Sequence, residues 1–215
     1  MKIKWLGHAA FVITADDGTK IITDPYLVEG GIAYGEINES ADIVTVSHGH
    51  GDHCNTSVIS GNPQILNSSG NKKIENVEIR GYDSFHDNVQ GTQRGGNIIF
   101  CFTIDGINLC HLGDLGHSLD SKFIENIGKV DVLLIPVGGF FTIDADTATK
   151  ICDLLNPRVI IPMHYLTPKV TYPIVKVDSF IHGKSIVIKS DCSEVALDKK
   201  NLPVNTEIIV LKHAL

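Results

Sequence analysis

Short apolar runs separated by turn residues open the chain. Residues 3–6 and 11–14 read as strands, Asp17-Gly18 as a turn, and residues 20–23 as a third strand stopped by Asp24-Pro25. Residues 41–47 contain the apolar stretch Ile43-Val44-Thr45-Val46, which predicts a buried strand. Shorter β segments are expected near residues 64–67 and 77–82. Residues 97–111 predict a hairpin about Asp105-Gly106, a dipeptide suited to the positive φ angles of a two-residue turn. That register sets Ile104 opposite Ile107 and Cys101 opposite Cys110.

Helix and strand then alternate. Residues 118–127 predict a helix and 131–137 a buried strand. Residues 144–155 predict an amphipathic helix with Ala148, Ile151, Cys152 and Leu155 on one stripe. A strand over 158–162 runs into Met163-His164-Tyr165, and β segments are expected near 185–189 and 207–211. Strands dominate early and helices arrive late. This order favours an α+β chain of two packed sheets with helices outside. No repeat or linker divides it, so residues 1–215 are expected to form one domain.

The strand over 41–47 delivers His48-Gly49-His50-Gly51-Asp52-His53. Each of these histidines and the aspartate can donate a lone pair to a borderline cation such as zinc. The glycines let the backbone bend so that the side chains converge. His48 and His50 alternate around Gly49, so both rings can approach one ion. Asp52 and His53 are expected to open a following helix that turns them toward a second position.

Two ions need ligands from elsewhere. Asp114, in His111-Leu112-Gly113-Asp114, follows a strand, and its two oxygens can bridge cations. His164 ends another strand in Ile161-Pro162-Met163-His164, and His86 lies in Ser84-Phe85-His86-Asp87. Strand ends and loops are where a scaffold holds functional side chains. The plainer readings are a helix cap for Asp114 and a hydrogen-bonded strand-end residue for His164.

Composition narrows the function classes. The chain has 215 residues, 43% hydrophobic and 20% charged, with a formal charge of −7. That balance argues against a general nucleic-acid binder, which needs a basic face. A small anionic substrate stays compatible, because bound metal supplies local positive charge. Five scattered cysteines form no CxxC pattern, and no segment suits a signal peptide or a membrane span. A reducing, cytoplasmic setting follows, in which Cys101 and Cys110 are expected to stay thiols.

The HxHxDH segment, the later Gly113-Asp114 and the strand-end His164 together resemble the metallo-β-lactamase superfamily. Trp5-Leu6-Gly7-His8, Thr23-Asp24-Pro25, Pro136-Val137-Gly138-Gly139 and Pro162-Met163-His164-Tyr165 are similar to one branch of it. That branch holds ascorbate-6-phosphate lactonase-like proteins and other metal-dependent hydrolases. The resemblance implies a four-layer αββα sandwich of two mixed sheets with the site at one edge. It implies that His48, His50 and His86 hold one metal, that Asp52, His53 and His164 hold the other, and that Asp114 bridges. His111 is the alternative to His86, and is otherwise expected to support a ligand.

Two divalent ions roughly 3.5–4 Å apart, zinc by default with manganese or iron as alternatives, can share a hydroxide. Asp52 would orient it. The expected reaction is hydrolysis of an ester, lactone, amide or phosphodiester in a small-molecule substrate. A di-iron redox protein on the same fold is the first alternative, although His50 stands where such proteins generally carry a carboxylate. A non-catalytic binding module is the second. Four further residues have two readings each. His8 either supports the ligands or packs in the N-terminal hairpin. Asp24 either orients a metal-bound histidine or forms a turn. Arg94, in a Gly-rich loop, either contacts an anionic substrate or sits in a solvated turn. Cys54 is either oxidation-prone or a small buried side chain. His117, His182 and His213 read as surface or packing residues.

Overall fold

The computed structural model describes residues 1–215. Five strands come first: β1 (Lys2–Gly7), β2 (Ala10–Thr14), β3 (Lys20–Thr23), β4 (Ile43–Thr45) and β5 (Gln64–Leu66). The first three pair antiparallel, and β3, β4 and β5 run parallel. Next come β6 (Gly70–Ile74), β7 (Val77–Phe85), β8 (Gly96–Ile104) and β9 (Ile107–His111), an antiparallel meander. Three short helices, α1 (Ser121–Ile127), α2 (Ala145–Leu155) and α3 (Asp178–Ile181), alternate with β10 (Val132–Pro136), β11 (Val159–Met163) and β12 (Val187–Lys189). Finally β13 (Glu194–Ala196) pairs with β1, and β14 (Glu207–Val210) inserts in parallel between β11 and β12.

The result is two mixed sheets of six and eight strands in an αββα sandwich. Alternation along the strands sets which face meets which. Ile3, Trp5, Phe11, Ile13, Ile21 and Ile43 join Phe100, Phe102, Leu109, Leu133 and Ile161 in the central core. Each such fully buried apolar side chain contributes roughly 1.5–3 kcal/mol. The intervening residues Leu6, Val12, Ile22 and Val44 point outward. They are covered by Tyr26, Ile32, Tyr34, Ile37 and Val170, so irregular chain and a single 3-10 turn (Thr56–Val58) make the layer over the first sheet. The regular helices all come after β9 in the chain. α2 buries the expected stripe, and Asp144 caps it by accepting from the Thr147 N–H at 2.8 Å. Asn156 ends it in the left-handed region.

Three local expectations change. No helix opens at Asp52–His53; residues 51–53 form a turn ahead of the 3-10 turn. The following Cys54-Asn55-Thr56-Ser57 run explains this, since its short polar side chains compete for backbone partners and disfavour helix. α1 starts at Ser121 rather than 118, because Asp120 caps the Phe123 N–H at 2.7 Å. The polar edge strands β6 and β13 were not expected. Cys101 does lie opposite Cys110, with free thiols 3.2 Å apart. No helix is long and apolar enough to cross a membrane.

Candidate metal centre

The segments after β4, β7, β9 and β11 carry the candidate ligands to one edge of the sandwich, and β3 ends beside them at Asp24. At its middle is the Asp114 carboxylate, which is buried. Its Oδ2 lies 3.2 Å from Nε2 of His53, 3.2 Å from Nε2 of His86, 3.3 Å from Nε2 of His164 and 3.9 Å from Nε2 of His48. Asp114 is placed by its own N–H, which donates to Asn97 Oδ1 at 2.9 Å. Gly113 lets the chain pass: at φ 56 its missing Cβ would sit 2.4 Å from Asn97 Oδ1 and 2.6 Å from Ser47 Cβ.

A second buried carboxylate orients the ligand-bearing segment from behind. Asp24, at φ 40, accepts from the Ser47 N–H at 2.7 Å and the Ser47 hydroxyl at 2.6 Å. Its Oδ2 also lies 3.0 Å from His53 Nδ1. The Ser47 hydroxyl has one proton and gives it to Asp24, so its contact with His48 Nδ1 at 2.9 Å requires that nitrogen to donate. The Nε2 lone pair of His48 therefore faces Asp114, and Asp24 turns His53 so that its Nε2 points at the same carboxylate. This is the carboxylate-behind-imidazole arrangement that fixes tautomer and ring direction in metal sites.

Two donor groups surround this centre. His48, His50 and His86 form one, and His8, Asp52, His53 and His164 form the other. His8 is buried at φ 51, with its Nε2 3.3 Å from Asp52 Oδ2 and its ring 4.0 Å from that of His164. His111 stands apart from both. Its Nε2 contacts the Ala9 carbonyl at 2.9 Å, and its Nδ1 accepts from the Gly113 N–H at 3.1 Å. Both ring nitrogens are thus committed to backbone, while His86 has Nε2 turned inward. His117 and His182 belong to neither donor group; His117 Nε2 accepts from the Phe85 N–H at 3.2 Å, and His213 packs on Trp5 and Tyr34. The half-buried Cys54 thiol donates to the Gly49 carbonyl at 3.4 Å.

The electrostatics suit a cation. Burial drives His48 down to about 3 and lowers His86, which keeps both imidazoles neutral. Burial opposes charge on Asp114, yet His164 and His53 hold it well below the usual carboxylate range. Burial likewise opposes charge on His53, but Asp114 and Asp24 at its two nitrogens raise it well above the usual histidine value. His48 Nε2, Asp114 Oδ1 and His8 Nδ1 are buried without a hydrogen-bond partner. Each such atom costs about 1–3 kcal/mol. A cluster of them around one carboxylate fits the donor set of a metal centre.

A cleft of about 240 Å³ opens onto this centre, walled by Arg94, Phe141 and Tyr172. The Tyr172 hydroxyl donates to Asp52 Oδ2 at 3.3 Å. Neither Phe141 nor Tyr172 was expected at the site; both lie in irregular segments with no motif of their own. Clefts elsewhere, of about 300 and 610 Å³, contain no histidine.

A family model described as a beta-lactamase superfamily domain matches residues 2–164. The chain belongs to the metallo-β-lactamase superfamily. Within it, the chain falls among the UPF0173 metal-dependent hydrolases. It is 34% identical over 205 residues to the one from Carboxydothermus hydrogenoformans, covering 83% of this chain and 88% of the relative. A crystal structure from Thermotoga maritima, assigned to the superfamily as a candidate Zn-dependent hydrolase, superimposes with a TM-score of 0.82. It is 37% identical and covers 98% of this chain and 97% of that one. The isothiocyanate hydrolase from Delia radicum gut bacteria shares the fold alone, with a TM-score of 0.67 at 15% identity over 92% of this chain and 99% of its own.

Proposed function

We propose that residues 1–215 form one hydrolase domain that acts on a small molecule in the cytoplasm through two divalent cations, zinc by default and manganese or iron as alternatives. The observation that carries this reading is the convergence of three imidazole Nε2 atoms within 3.3 Å of Asp114 Oδ2, with Asp114 Oδ1 and His48 Nε2 left unpartnered. His48, His50 and His86 would hold one ion, Asp52, His53 and His164 the other, and Asp114 both. Held by these residues, divalent cations would supply Lewis acidity and a water activated near neutral pH.

The chain's own residues do the rest. Asp52 Oδ2 sits 3.3 Å from the Tyr172 hydroxyl, 3.3 Å from His8 Nε2 and 3.9 Å from His53 Nε2, so its carboxylate is held at the cluster where it would orient the attacking oxygen. Asp24 holds His53, and through Ser47 holds His48, in the ligating tautomer. Ester, lactone, amide and phosphodiester bonds all fit this chemistry. The histidine-rich donor set, with His50 at its motif position, supports hydrolysis over di-iron redox chemistry, and the completeness of the set supports it over a binding module.

Thorough chelation followed by metal addition tests the proposal, with turnover screened across lactones, phosphodiesters, amides and thioesters. Activity should vanish on chelation and return with zinc or manganese. Turnover that survives complete metal removal contradicts it.

A further inference from the structure

Arg94 is the only arginine or lysine on the wall of the cleft, and it is half-buried there. Its position is built rather than incidental. Asp87, the residue after His86, is buried and accepts four backbone N–H groups of the loop that follows. Its Oδ1 takes those of Val89 and Gly91 at 2.9 and 2.8 Å, and its Oδ2 those of Gln93 and Arg94 at 2.9 and 2.8 Å. The loop closes on itself where the His86 N–H donates to the Gly95 carbonyl at 3.1 Å. A solvated turn needs no such knot. The loop is tied at both ends to a residue of the donor cluster, so Arg94 is held in register with it.

The side chain is held as well. Its guanidinium carbon lies 5.3 Å from the centroid of the Phe141 ring. Phe141 meets Tyr172 edge-on at 5.5 Å, and Tyr172 reaches Asp52. One continuous wall therefore runs from the guanidinium to the donor cluster. Stacking on an aromatic ring engages the guanidinium face and leaves its N–H edge for a carboxylate or phosphate oxygen pair. No carboxylate of the chain pairs with that edge. Asp52 and Asp114, the acidic groups of the cleft, already contact histidines.

We propose that Arg94 is an anion subsite, and that the substrate is a small molecule carrying a carboxylate or phosphate near the bond that is cleaved. The 240 Å³ cleft limits the substrate to a small one. This inference rests on the hydrolase reading above and names the substrate class for it.

Arg94→Met keeps an unbranched apolar stem and removes the charged fork. Calorimetric titration of the zinc-loaded protein with malonate, succinate and glutarate, dicarboxylates of increasing reach, tests binding without turnover. At least one should bind the wild type, and bind Arg94→Met about tenfold to a hundredfold more weakly, the range expected for a lost charge-assisted hydrogen bond. Arg94→Lys should recover part of the loss. Turnover of 4-carboxyphenyl acetate against phenyl acetate gives a second reading: the preference for the charged ester should fall about tenfold in Arg94→Met. The inference is overturned if all three dicarboxylates bind both proteins equally, or if none binds the wild type. Failure of both esters to react counts against the hydrolase reading, while the titration still decides the subsite.

Discussion

Asp24 grips His53 from behind: its Oδ2 lies 3.0 Å from Nδ1, while the opposite nitrogen of the same ring lies 3.2 Å from Asp114. One carboxylate thus sets the direction of a donor that another carboxylate meets. Removing it should loosen the centre without touching a ligand. Asp24→Ala is expected to lower zinc affinity about 10–100-fold, measured by competition with a chelator of known affinity. Asp24→Asn, which keeps one acceptor oxygen, should lose less.

Asp52 is the proposed catalytic carboxylate. Asp52→Asn is nearly isosteric, so thermal unfolding of the metal-free variant should match the wild type closely. Its kcat should fall by about a hundredfold or more. A fully active, folded Asp52→Asn protein would remove Asp52 from that role.

Gly138 shows how backbone packing protects the centre. A Cβ there would lie 2.2 Å from the carbonyl oxygen of His164. Since backbone cannot give way as a side chain can, Gly138→Ala should displace His164. The expected cost is about 1–3 kcal/mol in a denaturant titration, together with a lower zinc content.

Far from the centre, Asp131 ties the hairpin to β10. Its Oδ2 accepts from the Asn108 N–H at 2.9 Å, and it pairs with Lys129 and Lys199. Burial opposes its ionisation, but the Asn108 N–H and the two lysines hold its pKa below the usual carboxylate value. The folded-state pKa is the lower one, so this stabilisation is present above the unfolded pKa of about 3.9 and is lost as the pH falls through the folded value. Asp131→Ala should therefore cost about 1–3 kcal/mol at neutral pH. Urea titrations should show the gap to the wild type narrowing from about pH 5 to about pH 2.

Much of this architecture is legible along the chain, and the exceptions have physical reasons. β4, β10 and β11 are short buried apolar runs, and α2 has a clean stripe between two caps, so periodicity locates them. The dense donor segment after β4 needs no partner to be noticed. β6 has four exposed residues in five and β13 has three residues in all, so neither shows a pattern. The choice between His86 and His111 turns on where each ring nitrogen points. The Ala9 carbonyl that occupies His111 is 102 residues away, beyond the reach of any local rule. Tyr172 and Phe141 are visible only once the sheets close. His8 and Asp24 stand out in the folded chain by burial and positive φ, neither of which their neighbours in sequence reveal.

An anomalous-scattering map at the zinc edge, from crystals grown with zinc, decides whether two ions share Asp114. Two peaks are expected flanking Asp114, one against His48, His50 and His86 and one against Asp52, His53 and His164. A single peak, an empty cluster, or zinc bound at other residues would contradict the two-ion centre.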